Sequence, residues 1–119
     1  MNDRGTTLIG VEEHWLSDDI DRAQRALPAG RRDDSLALNG HGDTGARLLD
    51  IGEDRIAAMD DQGVDLQVLS LAPPATQGLD AAEAVALSRA ANDRAAAAVA
   101  AAPGPVSYTH LTLPTIYSV

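Results

Sequence analysis

Residues 53–77 read EDRIAAMDDQGVDLQVLSLAPPATQ, and the order of signals in that stretch decides the fold class. Asp50 and Glu53 stand at capping-box spacing, and Ile56 and Met59 follow at helical intervals. Gly63 then sits where a glycine ends a helix, which predicts a short helix. Val64 to Leu71 alternates at first and then becomes continuously apolar, as a strand buried towards one end does. Pro73-Pro74 stops it, because proline cannot donate to a ladder. Helix, tight glycine turn, strand and proline stop in so few residues are one half of an αβ repeat.

The flanks supply the rest. Downstream, Asp80 with Glu83 is a second capping-box spacing. It predicts a long alanine-rich helix to about Ala102, closed by Pro103-Gly104. Upstream, Thr6 to Val11 is a short β-branched, apolar run entering Glu12-Glu13-His14, which suits a buried strand delivering side chains to its C-terminal end. Between Leu16 and Leu48 the chain is rich in Asp, Arg, Gly and Asn, a long loop with one short helix expected near Asp18 to Leu27 before Pro28 and Gly30. Strand, loop, helix, strand, helix is the alternation that predicts an α/β fold with a parallel sheet.

Composition sets limits on function. The chain has 119 residues and a formal charge of −9, and its nine basic residues are all arginine. No basic run exceeds Arg31-Arg32, so neither nucleic acid nor an anionic membrane finds a concentrated positive face. There is no cysteine, which excludes disulfides and thiolate metal sites. Charged residues within the first fifteen positions leave no room for a signal-peptide apolar segment. The alanine run is too short and too weakly apolar to span a bilayer. A cytoplasmic protein is the expectation. Much of the 45 % apolar content is alanine, which removes little area from water, so marginal stability in isolation is expected as well.

The last fifteen residues differ from the rest. Pro105 to Val119 (PVSYTHLTLPTIYSV) contains no alanine, glycine or charged residue, yet holds both tyrosines of the chain. The segment SYTHLTLPTIYSV resembles translated sequencing-adapter DNA, so residues 1–104 are expected to be the native part and 105–119 a non-native tail. An edge strand is the alternative that its Thr/Leu alternation permits. His110 is accordingly set aside as a ligand.

The candidate chemistry lies at Glu12 and His14. In a strand, residues i and i+2 point to one face with Cα atoms about 6.5 Å apart, so these two converge while Glu13 faces away. Carboxylate and imidazole both bind divalent ions, at about 2.0 to 2.2 Å for zinc. A strand-end histidine bonded to solvent or backbone is the plainer reading of the same residues. His41, between Gly40 and Gly42, reads as a loop histidine. Ser70 lies near the mouth of the second strand with no base placed beside it by the sequence. The acidic pairs Asp18-Asp19, Asp33-Asp34 and Asp60-Asp61 read as solvated surface.

Taken in order, VEEHW, then EDRIAAMDDQGVDLQVLSLAPPATQ, then SRAANDR resemble the amidohydrolase superfamily, in the branch of aminocarboxymuconate-semialdehyde and γ-resorcylate decarboxylases. The resemblance covers about Leu8 to Gly104. It implies the N-terminal two βα units of a TIM (β/α)8 barrel, truncated, with Glu12 and His14 as ligands of a catalytic divalent metal, zinc first and manganese second. It implies further ligands and the acid/base groups on later strands, outside this sequence, so no catalytic residue is assigned. The expected parent is a non-oxidative decarboxylase of a small carboxylated aromatic or unsaturated compound. The alternatives are a metal-dependent hydrolase of a lactone or amide, and a truncated fragment inactive on its own. Homo-oligomerisation of the parent is compatible with all of these. In such barrels the loops after Trp15 and Leu71 border the substrate, leaving Leu16 to Leu48 open between a lid and a variable insertion.

Overall fold

The computed structural model describes residues 5–102 and 106–108. Its first strand, β1, runs over Ile9–Trp15 and is followed by helices α1 (Asp18–Ala26), α2 (Leu36–Asn39), α3 (Thr44–Leu49) and α4 (Glu53–Gln62). Strand β2 (Leu66–Leu71), helix α5 (Ala81–Ala101) and strand β3 (Val106–Tyr108) complete the order. The three strands form one parallel sheet in the order β1-β2-β3. The parallel α/β arrangement expected from the sequence is therefore what the chain adopts.

The core lies between the sheet and α5. Trp15, Ile20, Ile51, Leu69, Ala91 and Ala95 are its buried members, with Ile56, Leu71, Leu87 and Val99 packed against it. Buried positions on α5 are Ala84, Ser88, Ala91 and Ala95, spaced four, three and four apart, which is one helical stripe. All are small, and Ala91 and Ala95 share the core with Trp15 and Leu69 of the sheet. Arg94 reaches across that tryptophan, 5.8 Å from its ring centroid, and donates to the Leu49 carbonyl at 2.9 Å.

Several boundaries differ from the expected ones. The first strand starts at Ile9 rather than Thr6 and continues through Trp15, because pairing with β2 extends to Trp15↔Leu71 and the Ala72 amide donates to the Trp15 carbonyl at 2.8 Å. Tertiary pairing overrides the local polarity of Glu12-Glu13. Neither expected capping box forms. Asp50 closes α3, its carboxylate accepting from the Gly52 amide at 2.8 Å, and Gly52 caps α4. Asp80 caps α5 without a side-chain bond. Gly63 does end α4 in the left-handed region, at φ 75°.

The segment expected as a loop with one helix carries three α-helices and a short 3-10 helix at Ala29–Arg31. Its base is closed where the Leu16 amide donates to the Leu48 carbonyl at 2.8 Å. Ser17 caps α1 by accepting from the Ile20 amide, and Asp18, Asp19 and Asp21 fill the first turn, where carboxylates meet the positive end of the helix dipole. Strand β3 falls inside the stretch set apart by composition and pairs Gln67↔Val106 to Leu69↔Tyr108. Ladder bonds come from backbone groups that almost any sequence supplies, so the pairing is compatible with either origin of 105–119. His110 lies outside the described residues. Among the described residues, no helix is long and apolar enough to cross a membrane.

Candidate metal centre

The register of β1 on β2 decides which side chains meet. Ile9↔Leu66 and Gly10↔Gln67 are followed by Glu13↔Leu69, so β1 uses three residues where β2 uses two. That is a β-bulge, in which one inserted residue re-aims the side chains beyond it. Gly10 and Glu13 consequently share a face. A Cβ at position 10 would collide with the Glu13 carboxylate and lie 3.0 Å from its Cγ, so glycine is the residue that lets Glu13 fold back there.

Beyond the bulge the alternation is regular. Trp15 and Leu69 enter the core under α5, which fixes the helix-facing side as Glu13 and Trp15 paired with Leu69 and Leu71. His14 and its partner Ser70 occupy the opposite face, at the C-terminal mouths of both strands. Glu13 facing away from His14 is as the sequence implied. Glu12 lies within the bulged stretch of β1; its side chain is outside the described residues.

The imidazole of His14 is exposed, and its Nδ1 stands 3.4 Å from Ser70 Oγ. Either atom donates according to the imidazole tautomer. This is a change from the sequence reading, which placed no base beside Ser70. Cross-strand pairing brought the two together over fifty-six positions of separation, and no local motif announces that.

Arg55, on α4, fixes the same strand end from the helix side. Its guanidinium donates to the His14 carbonyl at 3.0 Å, to Asp50 O at 2.7 Å, to Arg47 O at 3.3 Å and to Gln67 Oε1 at 3.1 Å. Burial pulls its pKa below the ordinary arginine value, and the charges of Glu13 and Asp50 push it back up. It remains a cation, since arginine does not deprotonate in proteins. The sequence carried no signal for this role beyond an arginine on a short helix.

The two segments that follow the strand ends are tied to each other. Gln24 is 1 % exposed and its Nε2 donates to the Ala75 and Gln77 carbonyls, both at 2.8 Å. Arg31 donates to Gly78 O at 2.9 Å, and Asn39 to Pro73 O at 3.4 Å. The α1–α3 excursion is thus pinned to the loop after β2. His41 is exposed. Asp18 and Asp19 pair with Arg22 at the surface, and Asp33, Asp34, Asp60 and Asp61 are exposed, as solvated groups would be.

The donor set fits half of a metal site. His14 presents its ring at the strand mouths, with Nδ1 engaged by Ser70. Glu12 precedes it by two positions on the same strand. Among the described residues no group of three His, Asp or Glu side chains stands close enough to hold an ion, so the two candidates would need donors from elsewhere.

A parallel α/β unit with an imidazole at its strand mouths is the class these features define. No protein-family model matches the chain, and no curated protein matches it. Among solved structures it is similar to 5-carboxyvanillate decarboxylase from Novosphingobium aromaticivorans, complexed with manganese and 4-hydroxy-3-methoxy-5-nitrobenzoic acid. The likeness has a TM-score of 0.83 at 30 % identity over 95 % of this chain and 36 % of that one. A dihydroxybenzoic acid decarboxylase from a Polaromonas species, with bound manganese and 2-nitroresorcinol, matches at a TM-score of 0.66 and 29 % identity, over 93 % and 30 % of the two chains. A Staphylococcus aureus structure assigned as an amidohydrolase matches at 0.58 and 26 %, over 88 % and 28 %. The chain belongs to the amidohydrolase superfamily, on its decarboxylase branch. It spans about a third of the length of the solved structures it matches. Manganese, rather than the zinc expected first from the sequence, is the ion in those two decarboxylase structures.

Proposed function

We propose that the chain is the opening part of a TIM-barrel, metal-dependent decarboxylase acting without an oxidant on a hydroxylated aromatic carboxylate, with residues 105–119 a non-native tail. The observation that carries this reading is the placement of His14 at the strand mouths of a chain that matches a manganese-bound decarboxylase at a TM-score of 0.83. Glu12 and His14 would hold the ion. Manganese is favoured over zinc, in line with those neighbours and with a carboxylate in the donor set, which suits a harder cation. A bound divalent ion supplies a Lewis acid and a template for the substrate's carboxylate and hydroxyl oxygens. The chain's own contribution is to hold Glu12 and His14 on one strand, to fix that strand's end through Arg55, and to wall the approach with α1–α3 pinned to the loop after β2.

The 119-residue chain by itself is proposed to be inactive. Ile9 and Val11 on β1 are 48 % and 68 % exposed, so the strand that carries the candidate ligands leaves apolar surface in water. Hydrolysis of a lactone or amide is the second reading, and the likeness to the Staphylococcus aureus amidohydrolase favours it.

The test begins with re-amplification of the source DNA past the codon for Gly104. A frame that continues into further strands supplies the parent, which is incubated with manganese and 5-carboxyvanillate or 2,6-dihydroxybenzoate while carbon dioxide release is followed. Release that falls with Glu12→Ala and with His14→Ala, together with manganese content, supports the proposal. Unchanged metal content in both variants removes the ligand assignment. Turnover of lactones or amides without any carbon dioxide release selects the second reading.

A further inference from the structure

We infer that Ser70 is a positioning residue for His14: its Oγ accepts a hydrogen bond from the imidazole Nδ1–H and so leaves the Nε2 lone pair outward, ready for a divalent cation. The inference rests on the proposed metal reading for its purpose, but the hydrogen bond itself stands on geometry. His14 and Ser70 are paired residues of a parallel ladder on one face of the sheet, with Nδ1 and Oγ 3.4 Å apart.

The backbone of His14 has little freedom left. Its carbonyl accepts from Arg55, the next residue is the buried Trp15, and Ala72 ties Trp15 to the end of β2. What stays free is the pair of side-chain torsions and the tautomer. A neutral imidazole carries one proton, and the hydrogen bond made by one nitrogen decides which nitrogen is left with the lone pair. A partner that only donates would place the proton on Nε2 and block it. Serine can donate or accept, and the inference assigns it the accepting role in the metal-free chain, so that Nε2 is open before a cation arrives. Groups that hold the second nitrogen of a ligating histidine commonly change metal affinity by ~10- to 100-fold when removed.

The opposite proton direction, Ser70 Oγ–H donating to Nδ1, would make His14 a base for a serine nucleophile. The two directions predict different tautomers, which makes the choice measurable.

The experiment uses the full 119-residue chain, with His41→Asn and His110→Asn leaving one imidazole. Long-range 1H–15N correlation near pH 8, above the ordinary imidazole pKa of about 6.5, reads the tautomer in the absence of metal. Manganese affinity is read separately from the electron paramagnetic resonance signal of the free ion. The expected result is an Nδ1–H tautomer in the parent chain and in Ser70→Thr, a switch to Nε2–H in Ser70→Ala, and a manganese affinity about tenfold weaker in Ser70→Ala alone. The same tautomer in the parent chain and Ser70→Ala overturns the inference, as does an Nε2–H parent. A tautomer switch with manganese affinity unchanged in both Ser70→Ala and His14→Ala shows the hydrogen bond to be real and removes the metal reading instead.

Discussion

Replacing Gln24 by alanine should loosen the tie between α1 and the loop after β2 by an amount the structure allows one to work out. The amide is 1 % exposed and donates two bonds of 2.8 Å to the Ala75 and Gln77 carbonyls. Each such bond is worth about 1 kcal/mol net. Losing the one methylene that alanine lacks, Cγ, costs about 0.8 kcal/mol, and the rotamer freedom no longer frozen returns about 1.5 kcal/mol, so the second effect offsets the first and part of the hydrogen-bond loss. A loss of about 1 kcal/mol remains. The single tryptophan, Trp15, is buried in the core that also holds Ile20 of α1, so its fluorescence reports unfolding in urea. With a slope of ~1 kcal/mol per M the midpoint should fall by roughly 1 M. Amide exchange should accelerate most at residues 75–78. A midpoint shift below about 0.3 M, or acceleration spread evenly over the chain, would show that Gln24 does not clamp that loop.

Three other expectations can be checked on the same material. Arg55→Met removes four donated bonds, from the carbonyls of His14, Arg47 and Asp50 and from Gln67 Oε1, and should cost about 2 to 3 kcal/mol by thermal or urea unfolding, with Arg55→Lys recovering only a part. Ala95→Leu places three extra carbons where a 1 % exposed methyl meets Trp15; overpacking should cost about 1 to 3 kcal/mol, and a neutral result would mean that α5 does not sit close to the sheet. Manganese should bind a longer reading frame at least ~100-fold more tightly than the 119-residue chain, by calorimetry, because two protein donors on an open face leave the ion mostly hydrated. Equal affinities would contradict a half-site.

The fold was legible because its signals are local. Gly63 ends α4, Pro73-Pro74 follows β2, and alanines at three- and four-residue spacing mark the buried stripe of α5; each acts within a turn of its own position. The boundaries that failed are those where distant pairing wins. Glu12 and Glu13 look like the end of a strand by polarity, but β2 supplies ladder partners as far as Trp15. Asp50 is the local exception: it looks like a cap for α4, yet its carboxylate is taken by the amide of Gly52, two positions on, at the end of α3. The excursion from Leu16 to Leu48 looked like a loop because its stabilising partners, Gln24 to Ala75 and Gln77 above all, lie over fifty residues away.

The candidate site divides in the same way. Glu12 and His14 are named by a strand pattern and by family resemblance, both readable along the chain, whereas Ser70 and Arg55 act on His14 only through strand register and helix packing. The bulge between Gly10 and Glu13 shows why spacing alone is an incomplete guide: one inserted residue puts Gly10 and Glu13 on the same face, which a strict count of two would have separated. The same bulge leaves Glu13, and not His14, beside the cationic helix side, where the Arg55 guanidinium lies. An imidazole next to that guanidinium would be a poor cation ligand, since like charge opposes both protonation and metal approach. By turning His14 to the other face, with a hydroxyl rather than a cation as its side-chain neighbour, the irregularity leaves the histidine in surroundings that would suit the proposed ligand role.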